Sequence, residues 1–390
     1  MTTDPRLYLK GTKARRHKIS VGLLLSALVP WCLCVTAVGA STPQTQTAVA
    51  RTGAEIYRAA CSTCHGPDGR GQPKSHVGFD VELPDFTDCG FATPEAEADW
   101  SAIVRNGGPV RAFDRRMPAF AGALTDEEIL KVVRHVRGFC SDTRWPRGDL
   151  NLPRPLLTEK AFPENEALLT TTISRAGGSA VGNSVIYEHR LGTRSQWELV
   201  VPLDIQQNGK DGPWARGLGD VAAAFKHVLF HDMNRGSILS GGLEVVLPTG
   251  KTSSGLGKGV TIFEPFVSVG QIVGPGGFVQ AQAGVELPAN RAKASREAFW
   301  RVAAGQTWFR NGFDREWSPM MELVAAKELV KGTRVQWDLV PQLQVSLSRR
   351  HHVLLNGGLQ LPVNDRADRG RTFRMYVLWD WFDGGLFSGW

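Results

Sequence analysis

The 390-residue chain has no glycine-rich nucleotide fingerprint, no phosphate loop and no nucleophile elbow, so nothing in it points to dinucleotide, phosphoryl-transfer or serine-hydrolase chemistry. It also lacks a basic run with interleaved aromatics. Much of its formal charge of +7 comes from a cluster at the start, Arg6, Lys10, Lys13, Arg15, Arg16 and Lys18, so no nucleic-acid partner is expected. Long apolar runs are scarce. The stretch from Val21 to Ala37 is short for a spanning helix and poorly anchored on its far side. With the basic cluster ahead of it and small residues Val38 and Ala40 behind, it reads as an export signal over residues 1–40, cut after Ala40, an uncleaved anchor being the alternative.

Cysteine is sparse as well, and its six positions divide cleanly. Cys32 and Cys34 leave with the signal. Cys61-Ser62-Thr63-Cys64-His65 has the Cys-x-x-Cys-His spacing that attaches one c-type haem covalently, the two thiols holding the porphyrin and the imidazole of His65 binding its iron. The bland alternative is a redox or zinc pair that happens to precede a histidine. Cys89 and Cys140 remain, and in an oxidising compartment two leftover thiols should pair, the alternative being two separate buried thiols.

The second iron ligand is expected to be Met117, in Arg116-Met117-Pro118-Ala119-Phe120, because it lies about fifty residues beyond the haem motif and just before a helix. Proline after it keeps the backbone extended, and a thioether opposite imidazole favours ferrous iron. His76 and His135 are rival ligands. Helix signals frame this loop. Ala54 to Ala60 lead into the haem motif, and Thr125 with Glu128 forms a capping box ahead of an apolar stripe of Ile129, Val132, Val133 and Val136. Gly53 and Tyr57 offer the close approach and flat surface where the two helices would cross.

On Cys61, Cys64, His65, Met117 and these two helices, residues 51–140 resemble a class I monohaem cytochrome c. The long loop from His76 to Phe91 departs from that pattern. The resemblance implies haem c, iron held by His65 and Met117, and single-electron exchange with protein or small-molecule redox partners. With six ligands the iron has no open position, so an electron carrier is expected and not an enzyme.

Residues 141–165, with Pro146, Pro153, Pro155 and Pro163, read as a stiff, largely extended linker or as an ordered strap lying on a neighbour. From 166 to 390 the pattern has period two, which predicts an all-β half with an up-and-down barrel of about 12 antiparallel strands. Strand starts are predicted near 168, 182, 195, 216, 236, 259, 277, 295, 315, 333, 351 and 371. In the clearest strand Val335, Trp337, Leu339, Pro341, Leu343, Val345 and Leu347 alternate with mostly polar residues. Such a strand fits a soluble sandwich with a polar face in water, or an outer-membrane barrel with a polar lumen. Strand length favours the barrel, as do nine of the twelve tryptophans lying in this half, with Trp214, Trp308, Trp379 and Trp381 near strand ends.

Three strands end in Leu-Pro, at Leu247-Pro248, Leu287-Pro288 and Leu361-Pro362. As the fifth, seventh and eleventh strands they should point the same way, toward the longer loops, leaving both termini of the barrel and the haem domain on the periplasmic side. Gly217-Leu218-Gly219-Asp220 followed by Leu247-Pro248-Thr249-Gly250 resembles the transporter-like barrel family associated with the meta-pathway of phenol degradation. That resemblance implies a narrow outer-membrane barrel that passes small apolar compounds. Trp390 resembles the aromatic terminus of outer-membrane proteins, although Asp383-Gly384-Gly385 interrupts the last strand. Two charged stretches, His231-Asp232 and Arg349-Arg350-His351-His352, are expected at turns, with no role for either histidine of the second pair in binding metal or haem, because neighbours on a strand face opposite ways.

The expected molecule is thus a periplasmic cytochrome c domain joined to a barrel in outer-membrane lipid, working in electron transfer and forming part of a conduit in its sharpest version. A domain of about ninety residues has a radius of gyration of roughly 13 Å, too bulky to enter a narrow lumen, so one haem cannot cross the apolar band alone. The alternatives are a small-molecule transporter with an accessory cytochrome, and a soluble redox subunit with a β-sandwich.

Overall fold

The computed structural model describes residues 51–78, 80–174, 179–207, 212–308, 314–366 and 369–381. The export signal, Asp383-Gly384-Gly385 and Trp390 lie outside them. Six α-helices come first: α1 (Gly53–Ala60), α2 (Ser62–His65), α3 (Lys74–Val77), α4 (Cys89–Ala92), α5 (Glu97–Asn106) and α6 (Asp126–Arg137). Helix α6 starts where the capping box places it, with Thr125 Oγ1 accepting from Glu128 N and Glu128 reaching back to Thr125 N. It crosses α1 at Gly53, where a Cβ would stand 2.2 Å from the Lys131 carbonyl oxygen, so only glycine admits the approach. Ile56, Tyr57, Ile129, Val132 and Val133 fill the crossing and are all but excluded from water. Cys89 and Cys140 are bonded to each other, which ties α4 to the segment after α6.

Thirteen strand segments follow: β1 (Glu166–Ser174), β2 (Ala180–Leu191), β3 (Ser195–Gln207), β4 (Trp214–Leu218), β5 (Ala222–Asp232), β6 (Ser237–Val246), β7 (Ile262–Ile272), β8 (Gly277–Pro288), β9 (Glu297–Gln306), β10 (Trp317–Glu328), β11 (Gln336–Ser346), β12 (Val353–Pro362) and β13 (Thr372–Asp380). Each pairs antiparallel with its neighbours, and β1 closes on β13 from Glu166↔Asp380 to Ser174↔Thr372. The barrel has twelve staves. Segments β4 and β5 both pair with β3, at its far and near ends, and together make the fourth stave, broken at Gly219-Asp220-Val221. The three Leu-Pro strands, β6, β8 and β12, all point toward the end that carries the long connections 247–261, 289–296 and 363–371.

Residue burial along β11 excludes the sandwich. Asp338, Gln342, Gln344 and Ser346 are buried, whereas Leu339 and Leu343 stand 39% and 42% exposed. An inside-polar, outside-apolar strand suits a wall between lipid and an enclosed polar interior. The same outward apolar face continues around the barrel through Leu169, Val185, Leu203, Phe225, Leu243, Val267, Met321 and Leu359. Aromatics mark both rims: Trp300 packs edge-on against Trp337 at one end, and Tyr187 packs on Trp197 and Trp381 at the other. No helix among the described residues is long and apolar enough to cross a membrane.

The proline-rich segment is not a free tether. It enters the barrel and lies across its lumen, an ordered strap held by inward-facing side chains of the wall. Gln280 donates to the Pro153 carbonyl, Tyr376 to that of Arg154 and Arg301 to that of Leu157, while Glu322, Gln282 and Gln196 accept from the backbone N–H groups of Thr158, Glu159 and Glu164. Buried ion pairs join the same frame: Arg154 meets Glu159, Glu166 and Glu188, and Lys226 meets Glu159. Prolines 153, 155 and 163 suit this setting because they remove N–H groups that a closed interior would otherwise have to satisfy.

Candidate functional site

Tyr57 positions the haem motif from below, its hydroxyl donating to the carbonyls of Gly66 at 2.7 Å and His65 at 3.2 Å. The turn after His65 needs left-handed backbone at Gly66 and Gly69, and Gly69 lies so close to Phe139 that a Cβ would clash with its ring. His65 stacks on Phe86 with ring centroids 4.9 Å apart, and Phe86 in turn packs on Trp100 of α5. Burial lowers the pKa of His65, which keeps the ring neutral and its lone pair available to a metal. The Cys61 thiol is pushed up to about 11 by burial and by its neighbour Cys64.

Opposite this wall stands the loop that carries Met117. Its ends are pinned by backbone bonds from Gly108 N to the Met117 carbonyl at 3.0 Å, and from Phe120 N to the Val104 carbonyl at 3.0 Å. Gly107 has φ +83° and lies against the Met117 carbonyl, where a side chain would not fit. Between the two walls is a cavity of about 330 Å³ lined by Cys61, Cys64, His65, Met117 and apolar neighbours such as Leu83, Phe86, Ile103 and Val133.

These residues fit a haem c. The cavity is apolar, both motif thiols are unpaired, and His65 Nδ1 is buried without a hydrogen-bond partner. Met117 lines the same space, whereas the rivals do not. His76 sits on α3 beside Gln72, and His135 packs between Tyr57 and Phe139, outside the cavity lining. Cys61, Cys64, His65 and Met117 would hold the group, which when bound supplies reversible one-electron chemistry at iron.

Sequence reasoning missed that the barrel contributes to this cavity. Arg350 and His352, on the turn between β11 and β12, join its lining. The Arg350 guanidinium lies 4.1 Å over the Phe113 ring, and His352 Nε2 is 2.7 Å from Glu95 Oε1. The run Arg349 to His352 does sit at a turn, as expected, but that turn faces the haem domain. His231 and Asp232 close β5 at the edge of the turn 233–236, where Asp232 accepts from Asn234 N and Arg235 N, and His231 Nε2 lies 3.3 Å from the Arg144 carbonyl, to which Arg194 also donates. The haem domain is therefore docked on the short-turn end of the barrel.

Residues 48–136 match the family model described as cytochrome c oxidase, cbb3-type, subunit III, so the helical part is a cytochrome c domain. No curated protein matches the chain. Among solved structures, an outer-membrane channel from Pseudomonas putida F1 is similar at 10% identity, with 59% of this chain and 100% of that chain covered and a TM-score of 0.43. The NanC porin is similar at 10% identity, with 55% and 100% covered and a TM-score of 0.39. The KdgM porin is similar at 7% identity, with 55% and 99% covered and a TM-score of 0.35. The barrel architecture stands on its own strand ladder and its outward apolar face.

Proposed function

We propose that the protein carries single electrons through one covalently bound haem c, held by Cys61, Cys64, His65 and Met117 at the periplasmic mouth of an outer-membrane barrel. The observation that carries this reading is the shared cavity, in which the two motif thiols, the imidazole and the thioether line one apolar space. Protein or small-molecule redox partners would meet the haem domain from the periplasm. A conduit to the exterior is the finer version. One haem below an apolar band about 25 Å tall does not span it, so a further relay inside or beyond the barrel would be required.

The test is the purified full chain from a host that attaches haem c. Pyridine haemochrome spectra and mass measurement should give one haem with two thioether links, and a redox titration should follow a single one-electron wave. Apoprotein of unchanged mass from that host would overturn the assignment.

A transporter with an accessory cytochrome is the second reading. It is favoured by a residual lumen cavity of about 90 Å³ lined by Glu198, Glu244, Glu264, Lys226 and Arg301. That lining suits polar solutes, unlike the small apolar compounds suggested by the family resemblance, and passage would require the strap to move.

A further inference from the structure

We propose that Asp99, which also lines the haem cavity, forms with Glu316 and His351 a divalent-cation site, distinct from the expected haem ligands, that staples the cytochrome domain to the barrel rim. The three side chains come from α5, from the residue just before β10 and from the turn between β11 and β12. They offer one donor atom each within 4.8 Å of one another. His351 Nδ1 lies 3.2 Å from Glu316 Oε1 and 3.6 Å from Asp99 Oδ1. Zinc bonds of about 2.0–2.2 Å in tetrahedral geometry set donors about 3.3–3.6 Å apart, so these two separations bracket what one ion needs.

The protonation pattern points the same way. His351 Nε2 is 3.4 Å from the Asp314 carbonyl, and a carbonyl only accepts, so Nε2 carries the proton of the neutral ring. Nδ1 then presents a lone pair to two carboxylates. The side chain is only 9% exposed, and both Nδ1 and Glu316 Oε1 are buried without a hydrogen-bond partner. An imidazole lone pair and an unpartnered Glu316 Oε1 facing each other, beside an Asp99 Oδ1 whose donor is Arg111 Nε, would be satisfied by a cation. Second-sphere contacts of the kind metal ligands carry are present as well: Arg111 Nε donates to Asp99 Oδ1 at 2.7 Å, and the Asp314 carbonyl orients the imidazole.

The competing explanation is a protonated imidazole bridging the two acids. Untagged full-length protein, freed of metal with a chelator, would be dialysed against micromolar zinc, with zinc and haem iron counted together. The expected result is one zinc per iron in the parent and at least a tenfold weaker site in His351→Gln and Glu316→Gln, each checked for folding by heat-dependent gel mobility. Zinc-edge absorption spectroscopy of the parent alone should show one imidazole among nitrogen and oxygen ligands, which keeps the test valid if a variant fails to fold. No zinc retained by the parent, equal zinc in parent and variants, or a bound ion without imidazole would each overturn the staple and leave the ion pair.

Discussion

Replacing Glu322 with alanine should release the strap from the lumen. Glu322 is wholly buried, and its carboxylate accepts from the backbone N–H of Leu156, Leu157 and Thr158, from the Thr158 hydroxyl and from the Gln342 amide. Leu156 N keeps a second acceptor in Gln342 Oε1 at 3.0 Å, but the backbone N–H groups of Leu157 and Thr158 lose theirs. The Thr158 hydroxyl and the Gln342 amide also lose this acceptor but can rotate, whereas the two stranded backbone donors cost about 1–3 kcal/mol each, together roughly 2–6 kcal/mol against the docked strap. At about 1.4 kcal/mol per tenfold, the undocked population should rise between about 30-fold and 10⁴-fold, with water entering the lumen pulling the value toward the lower end. Planar-bilayer recordings should show more frequent small-ion openings in Glu322→Ala than in the parent, the docked haem domain still limiting larger solutes, and protease should cut the variant between residues 150 and 164. Glu322→Gln, which keeps one acceptor oxygen, should lie between the two. A Glu322→Ala protein that is folded, carries haem and matches the parent in conductance and cleavage would refute the idea that this carboxylate holds the lumen shut.

Met117→Ala should leave haem attached through Cys61 and Cys64 but abolish the near-infrared sulfur-to-iron band of the oxidised protein; an unchanged band would remove Met117 as ligand. Opening the Cys89–Cys140 bond by paired serine substitution, given a separation of 51 residues, should cost the haem domain about 2–4 kcal/mol in denaturant titration, and a change below about 0.5 kcal/mol would discount the bridge as a stabiliser. Cysteines placed at 253 and 292, in the long connections, should react with an impermeant thiol reagent on whole cells, and one at 193 should not. Labelling only at 193 would invert the barrel and put the cytochrome outside.

Much of the barrel was legible because its wall obeys a strict local rule. The period-two pattern and the Leu-Pro stops placed strand starts near 195, 277 and 371, against Ser195, Gly277 and Thr372 in the structure. The break in the fourth stave was not legible, since Gly219-Asp220-Val221 resembles an ordinary bulge until the strand opposite it is known. In the haem domain Cys61, Cys64, His65 and Met117 could be read from spacing, and the structure lines one cavity with all four. What alternation cannot reveal is the partner of an inward or rim residue. Gln342 read as one of the polar residues of its strand, yet its acceptor, like that of Glu322, serves a strap some 186 and 165 positions away in sequence. Arg350 and His352 read as turn residues, and only the docking of the two parts brings them to the haem cavity.

That docking bears on which reading of the barrel is simpler. A solute entering at the short-turn end would meet two obstructions in series, the haem domain seated on the mouth and the strap bonded across the lumen behind it. Clearing the first breaks the contacts of His351 and His352 with the cytochrome domain and of Arg194 and His231 with Arg144 just beyond it, and clearing the second breaks hydrogen bonds from β3, β8, β9, β10 and β13. Each such group left unpaired in a closed interior costs about 1–3 kcal/mol, so opening both in one event is expensive unless a ligand offsets it. Electron exchange at the mouth would need neither movement if partners meet the haem domain from outside the barrel, where charge sets how fast they meet. On the proposed electron-transfer reading the barrel with its strap in place would serve as an anchor for the redox centre, and a solute route would have to begin by displacing residues 150–164.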